Sequence, residues 1–272
     1  MLVSLFENNK DEKINIFLFS DHLSSDNQKN INQIVKNYNQ KIIYQLIDLK
    51  NIEYFKVSDH ASLANYYRVL AFSLLPKNIK KILYLDVDLL VLESINDLYS
   101  SNIDNYLLGV VKEPTEMLKN KELLDIPVQY SYFNSGVMLV NIEKWKQIDA
   151  TLKIINFIQN NADKIQFWDQ DALNALFYDD CILIHKKWNI QSGHFNTSKN
   201  IKKEDIKILH FTGKSKPWEY MNKHPLKQLY YKYLKKTPWK HYKPKDKTLG
   251  NMLRKYKLMP NWYEKLFKKQ SK

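Results

Sequence analysis

Apolar positions along the chain alternate between two rhythms, and together they predict a succession of strands and helices. INIFLFS (residues 14–20) has the length and content of a strand, and SSDNQKNINQIVKNYN (24–39) reads as a polar-faced helix opened by Ser and Asp. KIIYQLIDL (41–49) predicts a second strand. ASLANYYRVLAFSLLP (61–76) carries apolar residues at 63, 66, 67, 70 and 74, a helical spacing that Pro76 stops. Further strands are expected at 81–86, 105–111, 132–142, 181–185 and 206–212, with helices at about 149–160 and 170–177 between them. Such an alternation implies an α/β fold, with a mostly parallel sheet covered by helices on both faces.

One stretch breaks the pattern. In ILYLDVDLLVL (82–92) nearly every residue is apolar, as in a strand buried on both faces, yet Asp86 and Asp88 sit in its middle. A buried carboxylate needs a positive partner. Residues two apart on a strand face the same side, so the pair is expected to converge on one cation. Two carboxylates suit a hard divalent ion, Mg²⁺ or Mn²⁺, better than zinc. The carboxyl end of a strand is also where open α/β sheets place their ligands.

Composition changes the picture mainly at the C-terminal end. The formal charge of +13 is concentrated after Gly213, where 18 Lys/Arg face 3 Asp/Glu; the preceding residues are close to neutral. Eleven aromatics, from Trp218 to Phe267, interleave with those lysines, and Pro238, Pro244 and Pro260 separate three short helical patterns. Basic-aromatic helices suit an anionic membrane surface. Nucleic-acid binding ranks below this, because no recognisable nucleic-acid motif accompanies the charge. The one cysteine, Cys181, excludes an internal disulfide, and no apolar run reaches the ~18 residues of a membrane span.

Four stretches in order, LYLDVDLLV (83–91), YFNSGVMLVNIEKW (132–145), WDQDALNALF (168–177) and LHFTGKSKPW (209–218), resemble glycosyltransferase family 8. Phosphatases of the haloacid-dehalogenase type also use Asp-x-Asp, but they place Thr or Val where this chain has Leu90, and they carry the motif near the start of the domain. The resemblance implies a GT-A, Rossmann-like domain over residues 1–217 and a basic-aromatic helical tail over 218–272. It implies a Mn²⁺-dependent (alternatively Mg²⁺-dependent) retaining hexosyltransferase that takes UDP-glucose or UDP-galactose as donor. The acceptor is expected to be a glycolipid or oligosaccharide of lipopolysaccharide or lipooligosaccharide type. The implied location is cytoplasmic, peripheral on the inner face of the cytoplasmic membrane.

By the same resemblance, Asp86 and Asp88 (the DxD motif) and His210 are the metal ligands. Arg68, Asn134, Ser135, Asp169, Gly213 and Lys216 join the carboxylates in holding the nucleotide-sugar. Gly213 allows close backbone approach to the phosphates, and Lys216 faces the leaving diphosphate. Asp169 and Gln170 lie at the reacting centre, with Gln170 stabilising an oxocarbenium-like cation, and Glu113 meets the acceptor. Asp169 also stands where it would cap the helix it opens. One element of the family has no counterpart: members begin with a strand of the type hhFAhDDNY, whereas this chain opens at MLVSLFENN, resembling the helix that follows it. That strand is central in such sheets, so its loss strips apolar contacts and ladder partners. Two expectations follow, a start upstream of Met1 or a catalytically defective form acting only as a membrane- or acceptor-binding protein.

Overall fold

The computed structural model describes residues 1–47, 64–197 and 201–257, in two units, Met1–His210 and Phe211–Lys272. The first unit opens with helix α1 (Leu2–Glu7), whose Val3, Leu5 and Phe6 are buried, followed by strand β1 (Asn15–Ser20). Helix α2 (Ser25–Asn37) begins where the Ser24 hydroxyl accepts the Asn27 N–H, and it buries Ile34 and Val35. Strand β2 (Lys41–Leu46) then pairs in parallel with β1, and helix α3 (Ala64–Leu74) ends just before Pro76. The expected strand residues beyond Ile47 and the expected helix start at 61–63 lie outside the described residues.

Strands β3 (Lys81–Leu85) and β4 (Leu89–Val91) are separate elements, so the apolar run at 82–92 is not one strand. Asp86 and Asp88 occupy the turn between them, with Val87 at its tip 81% exposed. Strand alternation therefore does not bring the two carboxylates together; the turn does. An apolar residue at a turn tip is invisible to hydrophobic patterning, which is why the sequence reads as continuous.

There follow α4 (Asn96–Tyr99), β5 (Leu108–Lys112), α5 (Leu118–Leu123), β6 (Phe133–Asn141), α6 (Ile142–Gln147), α7 (Ala150–Asn160), α8 (Trp168–Phe177), β7 (Cys181–Leu183), β8 (Ile190–Gln191), α9 (His194–Thr197) and β9 (Ile208–His210). The strands form three sheets ordered β1-β2, β3-β6-β5-β7 and β4-β9-β8. Pairing is parallel for β1-β2, β5-β7 and β8-β9, and antiparallel for β3-β6, β5-β6 and β4-β9. The central strand is β6, buried from Phe133 to Val140.

Helices α3, α6, α7 and α8 pack on this sheet through a shared cluster that includes Val69, Phe72, Trp145, Ile154 and Leu173. Phe72 meets Trp145 edge to face at 4.9 Å. Each such buried side chain contributes about 1.5–3 kcal/mol, so the cluster anchors the strands that carry the site. At the Phe133 end of β6 the register with β5 jumps: Val110 faces Met138, but Val111 faces Asn134. Residues 135–137 therefore have no β5 partner, a bulge that frees backbone groups for other work.

In the second unit, α10 (Lys227–Leu234) and α11 (Leu249–Lys257) occupy two of the three helical patterns expected in the tail; the third, near 261–269, lies outside the described residues. Asp246 accepts the N–H groups of Tyr220 (2.7 Å) and Met221 (3.1 Å), and Lys255 donates to the Tyr220 carbonyl at 2.9 Å while lying over its ring.

Candidate active site

Three ligand-type atoms, from Asp86, Asp88 and His210, lie within 4.8 Å of one another. The turn supplies the carboxylates, and the antiparallel β4-β9 pair sets Leu89 opposite His210, which carries the imidazole to them. His210 Nε2 stands 3.1 Å from Asp88 Oδ1 and 3.6 Å from Asp86 Oδ2. Gly136 makes room for the cluster. Its carbonyl accepts the Asp86 N–H at 2.9 Å, and a Cβ there would fall 2.1 Å from His210 Cε1 and 2.7 Å from Asp86 Oδ2. Two carboxylates and an imidazole form a donor set that fits Mn²⁺ or Mg²⁺, and the glycine cradle keeps them close.

The Arg68 side chain, on α3, is only 10% exposed and turns toward the acidic residues. Its Nη2 lies 3.3 Å from Asp86, its Nε lies 2.7 Å from Asp169, and its Nη1 donates to the Ser135 carbonyl at 2.6 Å. The Tyr84 ring stacks against the guanidinium at 4.9 Å while the Tyr84 hydroxyl donates to Asp86 at 2.7 Å. Burial works against the charge on Arg68, but Asp169 and Asp86 outweigh it and raise its pKa. Burial pushes the Asp169 carboxyl up to about 7, against the pull of Arg68. Asp169 is no N-cap: α8 starts one residue earlier, its N-cap is Phe167, and no side chain caps it.

The loop before α8 is held instead by Asp171, fully buried, which accepts the N–H groups of Gln166 (2.6 Å) and Phe167 (2.7 Å) and the Tyr132 hydroxyl (2.5 Å). These bonds hold Trp168 at φ +48°, an uncommon conformation for a non-glycine residue. Gln170 follows, with its Oε1 accepting from Asn134 Nδ2 (3.1 Å), the Ser135 N–H (3.1 Å) and the Ser135 hydroxyl (3.3 Å). Burial raises the pKa of Glu113, and the 3.3 Å hydrogen bond from Asn134 opposes that rise.

Thus Arg68, Asp86, Asp88, Glu113, Asn134, Ser135, Asp169, Gln170 and His210 are brought into one connected network. Gly213 and Lys216 belong to the second unit: Gly213 has φ +90°, and Lys216 donates to the Phe211 carbonyl at 3.0 Å. Sequence reasoning missed Tyr84, Tyr132, Asp171, Asn174 and Asn189. Asn174, fully buried, takes the Phe133 N–H and gives to the Phe133 and Gln170 carbonyls, tying α8 to β6. Asn189, also fully buried, donates to Asn134 Oδ1 at 2.8 Å and presents its Oδ1 to His210 Nδ1 at 3.0 Å. A single Asn or Tyr carries no spacing signal. Tyr84, Tyr132, Asp171 and Asn174 stood within the noted stretches but carried no role there, and Asn189 lay outside them.

A family model described as Glycosyl transferase family 8 matches residues 1–222. The chain belongs to glycosyltransferase family 8. General stress protein A of Bacillus subtilis (strain 168) is 31% identical over 266 residues, covering 92% of this chain and 90% of the relative. Lipopolysaccharide 1,2-glucosyltransferase of Escherichia coli (strain K12) is 26% identical, covering 94% and 79%. The solved structure of galactosyltransferase LgtC with donor and acceptor sugar analogs matches with a TM-score of 0.77 at 20% identity, over 87% of this chain and 91% of that one. That likeness establishes the GT-A fold for this family 8 chain.

Proposed function

We propose that this family 8 chain moves a hexosyl group from UDP-glucose or UDP-galactose to a hydroxyl of a lipopolysaccharide-type glycolipid or oligosaccharide, with retention. The observation that carries the reading is the convergence of Asp86, Asp88 and His210 beside the Arg68–Asp169 pair and Gln170. A divalent cation, Mn²⁺ or Mg²⁺, held by Asp86, Asp88 and His210 would neutralise charge developing on the leaving diphosphate. Arg68, Asp169, Asn134 and Ser135 hold the donor sugar, and Gly213 and Lys216 serve the diphosphate.

The acceptor hydroxyl, positioned by Glu113, attacks the anomeric carbon on the face from which the diphosphate departs. The new carbon–oxygen bond replaces the sugar–phosphate bond, and the hydroxyl proton passes to a leaving phosphate oxygen. Three donors already engage Gln170 Oε1, and an amide so engaged is a poor nucleophile. Its dipole instead stabilises the cationic sugar. A screen of UDP-hexose hydrolysis and transfer with Mn²⁺ and Mg²⁺ tests this. Turnover lost in Asp88→Ala is expected; turnover unaffected by chelation of the metal would overturn it.

The proposed location is the inner face of the cytoplasmic membrane. Among the described residues no helix is long and apolar enough to cross a membrane. On α11, Leu249, Leu253 and Tyr256 are exposed at i, i+4 and i+7, with Lys247 and Arg254 nearby in sequence, which supports attachment to an anionic surface. Leu253→Asp is expected to weaken co-sedimentation with anionic vesicles, and unchanged binding would remove the membrane reading.

A further inference from the structure

Hydrogen bonds around the acidic turn have only one consistent polarity, because two backbone N–H groups fix it. A backbone N–H can only donate. The Gly136 N–H points at Asn134 at 3.0 Å, so the atom it meets is the amide oxygen. Asn189 approaches that same oxygen at 2.8 Å and must therefore offer its nitrogen. The other end of the Asn189 carboxamide is then the oxygen, 3.0 Å from His210 Nδ1. Since that oxygen can only accept, Nδ1 carries the hydrogen. The second backbone group agrees: the Ser135 N–H fixes Gln170 Oε1 as an acceptor, so the Asn134 atom 3.1 Å from it is the donor Nδ2.

The consequence falls on the far side of the ring. A neutral imidazole with its hydrogen on Nδ1 has a free lone pair on Nε2. That lone pair faces Asp88 Oδ1 at 3.1 Å and Asp86 Oδ2 at 3.6 Å, an arrangement that a divalent cation held by all three atoms would satisfy. Asn189 is fully buried, so water does not take over its bonds if the amide is removed.

We propose that Asn189 is a positioning residue, which holds His210 in the Nδ1–H tautomer and so presents Nε2 to a divalent cation. This rests on the metal reading above. Outer partners of this kind are worth about 10- to 100-fold in metal affinity.

Two variants test it. Asn189→Leu keeps the shape and removes both bonds. Asn189→Asp keeps an acceptor for the Nδ1 hydrogen but places an oxygen against Asn134 Oδ1. Two-bond ¹H–¹⁵N spectra of the metal-free protein read the tautomer; His210→Gln assigns the signal. Wild type and Asn189→Asp should show hydrogen on Nδ1, and Asn189→Leu a shift toward Nε2. Calorimetric titration with Mn²⁺ should show Asn189→Leu weakened about 10- to 100-fold, with Asn189→Asp closer to wild type. Thermal melts establish that each variant is folded. Hydrogen on Nε2 in the wild type, or Asn189→Leu unchanged in both tautomer and Mn²⁺ affinity, would overturn the proposal. If wild type keeps the Nδ1 hydrogen and Asn189→Leu loses it, but no Mn²⁺ binds, the metal reading fails while the positioning role stands.

Discussion

Adding one methyl group at Gly136 should disable the proposed metal site more than it disables the fold. An alanine Cβ would lie 2.1 Å from His210 Cε1, 2.8 Å from Nδ1 and 2.7 Å from Asp86 Oδ2. Carbon atoms in contact sit about 3.5–4.0 Å apart, so the ring must retreat by more than an ångström. Neither neighbour can give cheaply. The ring is nearly inaccessible and tied to Asn189, and the Asp86 carboxylate is tied to Tyr84 and Arg68.

Overpacking of this kind costs about 1–3 kcal/mol, and here it falls on the bonds that aim the ligands. At about 1.4 kcal/mol per tenfold, Mn²⁺ affinity should drop by roughly fivefold to somewhat over a hundredfold. Titration calorimetry with Mn²⁺ measures it, with a thermal melt alongside. Gly109→Ala is the control: its Cβ would meet Ile103 Cγ2 and Leu139 Cβ at 3.2 Å and Leu139 Cδ1 at 3.5 Å, so it should cost some stability and leave Mn²⁺ binding alone. Wild-type Mn²⁺ affinity in Gly136→Ala would refute the reasoning, because the cradle would then be irrelevant to the ligands.

Arg68→Met removes the counter-charge from Asp169, which is 2% exposed, and from Asp86; breaking such a buried pair costs about 3–5 kcal/mol. Urea unfolding at neutral pH should show a loss of that order, and Arg68→Lys should not restore UDP-hexose binding, since three different nitrogens of the guanidinium are engaged. Asn174→Leu strands the Phe133 N–H and carbonyl at about 1–3 kcal/mol each, so its urea midpoint should fall well below that of wild type; an unchanged midpoint would mean that α8 is not held to β6 there. Burial lowers the pKa of His224 from 6.5 to about 4. A base with a depressed folded pKa stabilises the fold above its unfolded value and loses that contribution as pH falls through the folded one. Stability should therefore decline between pH 6.5 and about 4. His224→Asn, which keeps an acceptor for the Leu226 N–H, should flatten that decline in melts across the window.

Much of the fold was legible because its elements are long and periodic. The strand at 14–20 and the helices at 24–39 and 149–160 emerged within a few residues of their observed bounds. The acidic pair with His210, and the grouping of Arg68, Asn134, Ser135, Asp169 and Gln170, were legible through motif resemblance, since no single spacing joins residues so far apart in the chain. What stayed hidden was local geometry. Val87 disguises a turn as a strand, and Trp168 takes a positive φ that no pattern announces. Asn189 lies between Trp188 and a two-residue strand, where nothing but its partners marks it.

The stretch NSG at 134–136 shows why the motif has the composition it does. Because residues 135–137 slip out of register with β5, the backbone there serves the site. The Ser135 N–H goes to Gln170 and its carbonyl to Arg68; the Gly136 N–H goes to Asn134 and its carbonyl to the Asp86 N–H. The irregularity against β5 thus frees Ser135 for the Gln170 amide and the Arg68 guanidinium, while the Gly136 carbonyl continues the pairing with the strand that ends at Asp86. A regular pairing with β5 would have spent the Ser135 groups on the ladder, and a larger residue at 136 would have filled the space of the imidazole. The bulge, the glycine and the buried asparagines are therefore parts of one device, and a change at any of them should register at Asp86, Asp88 and His210.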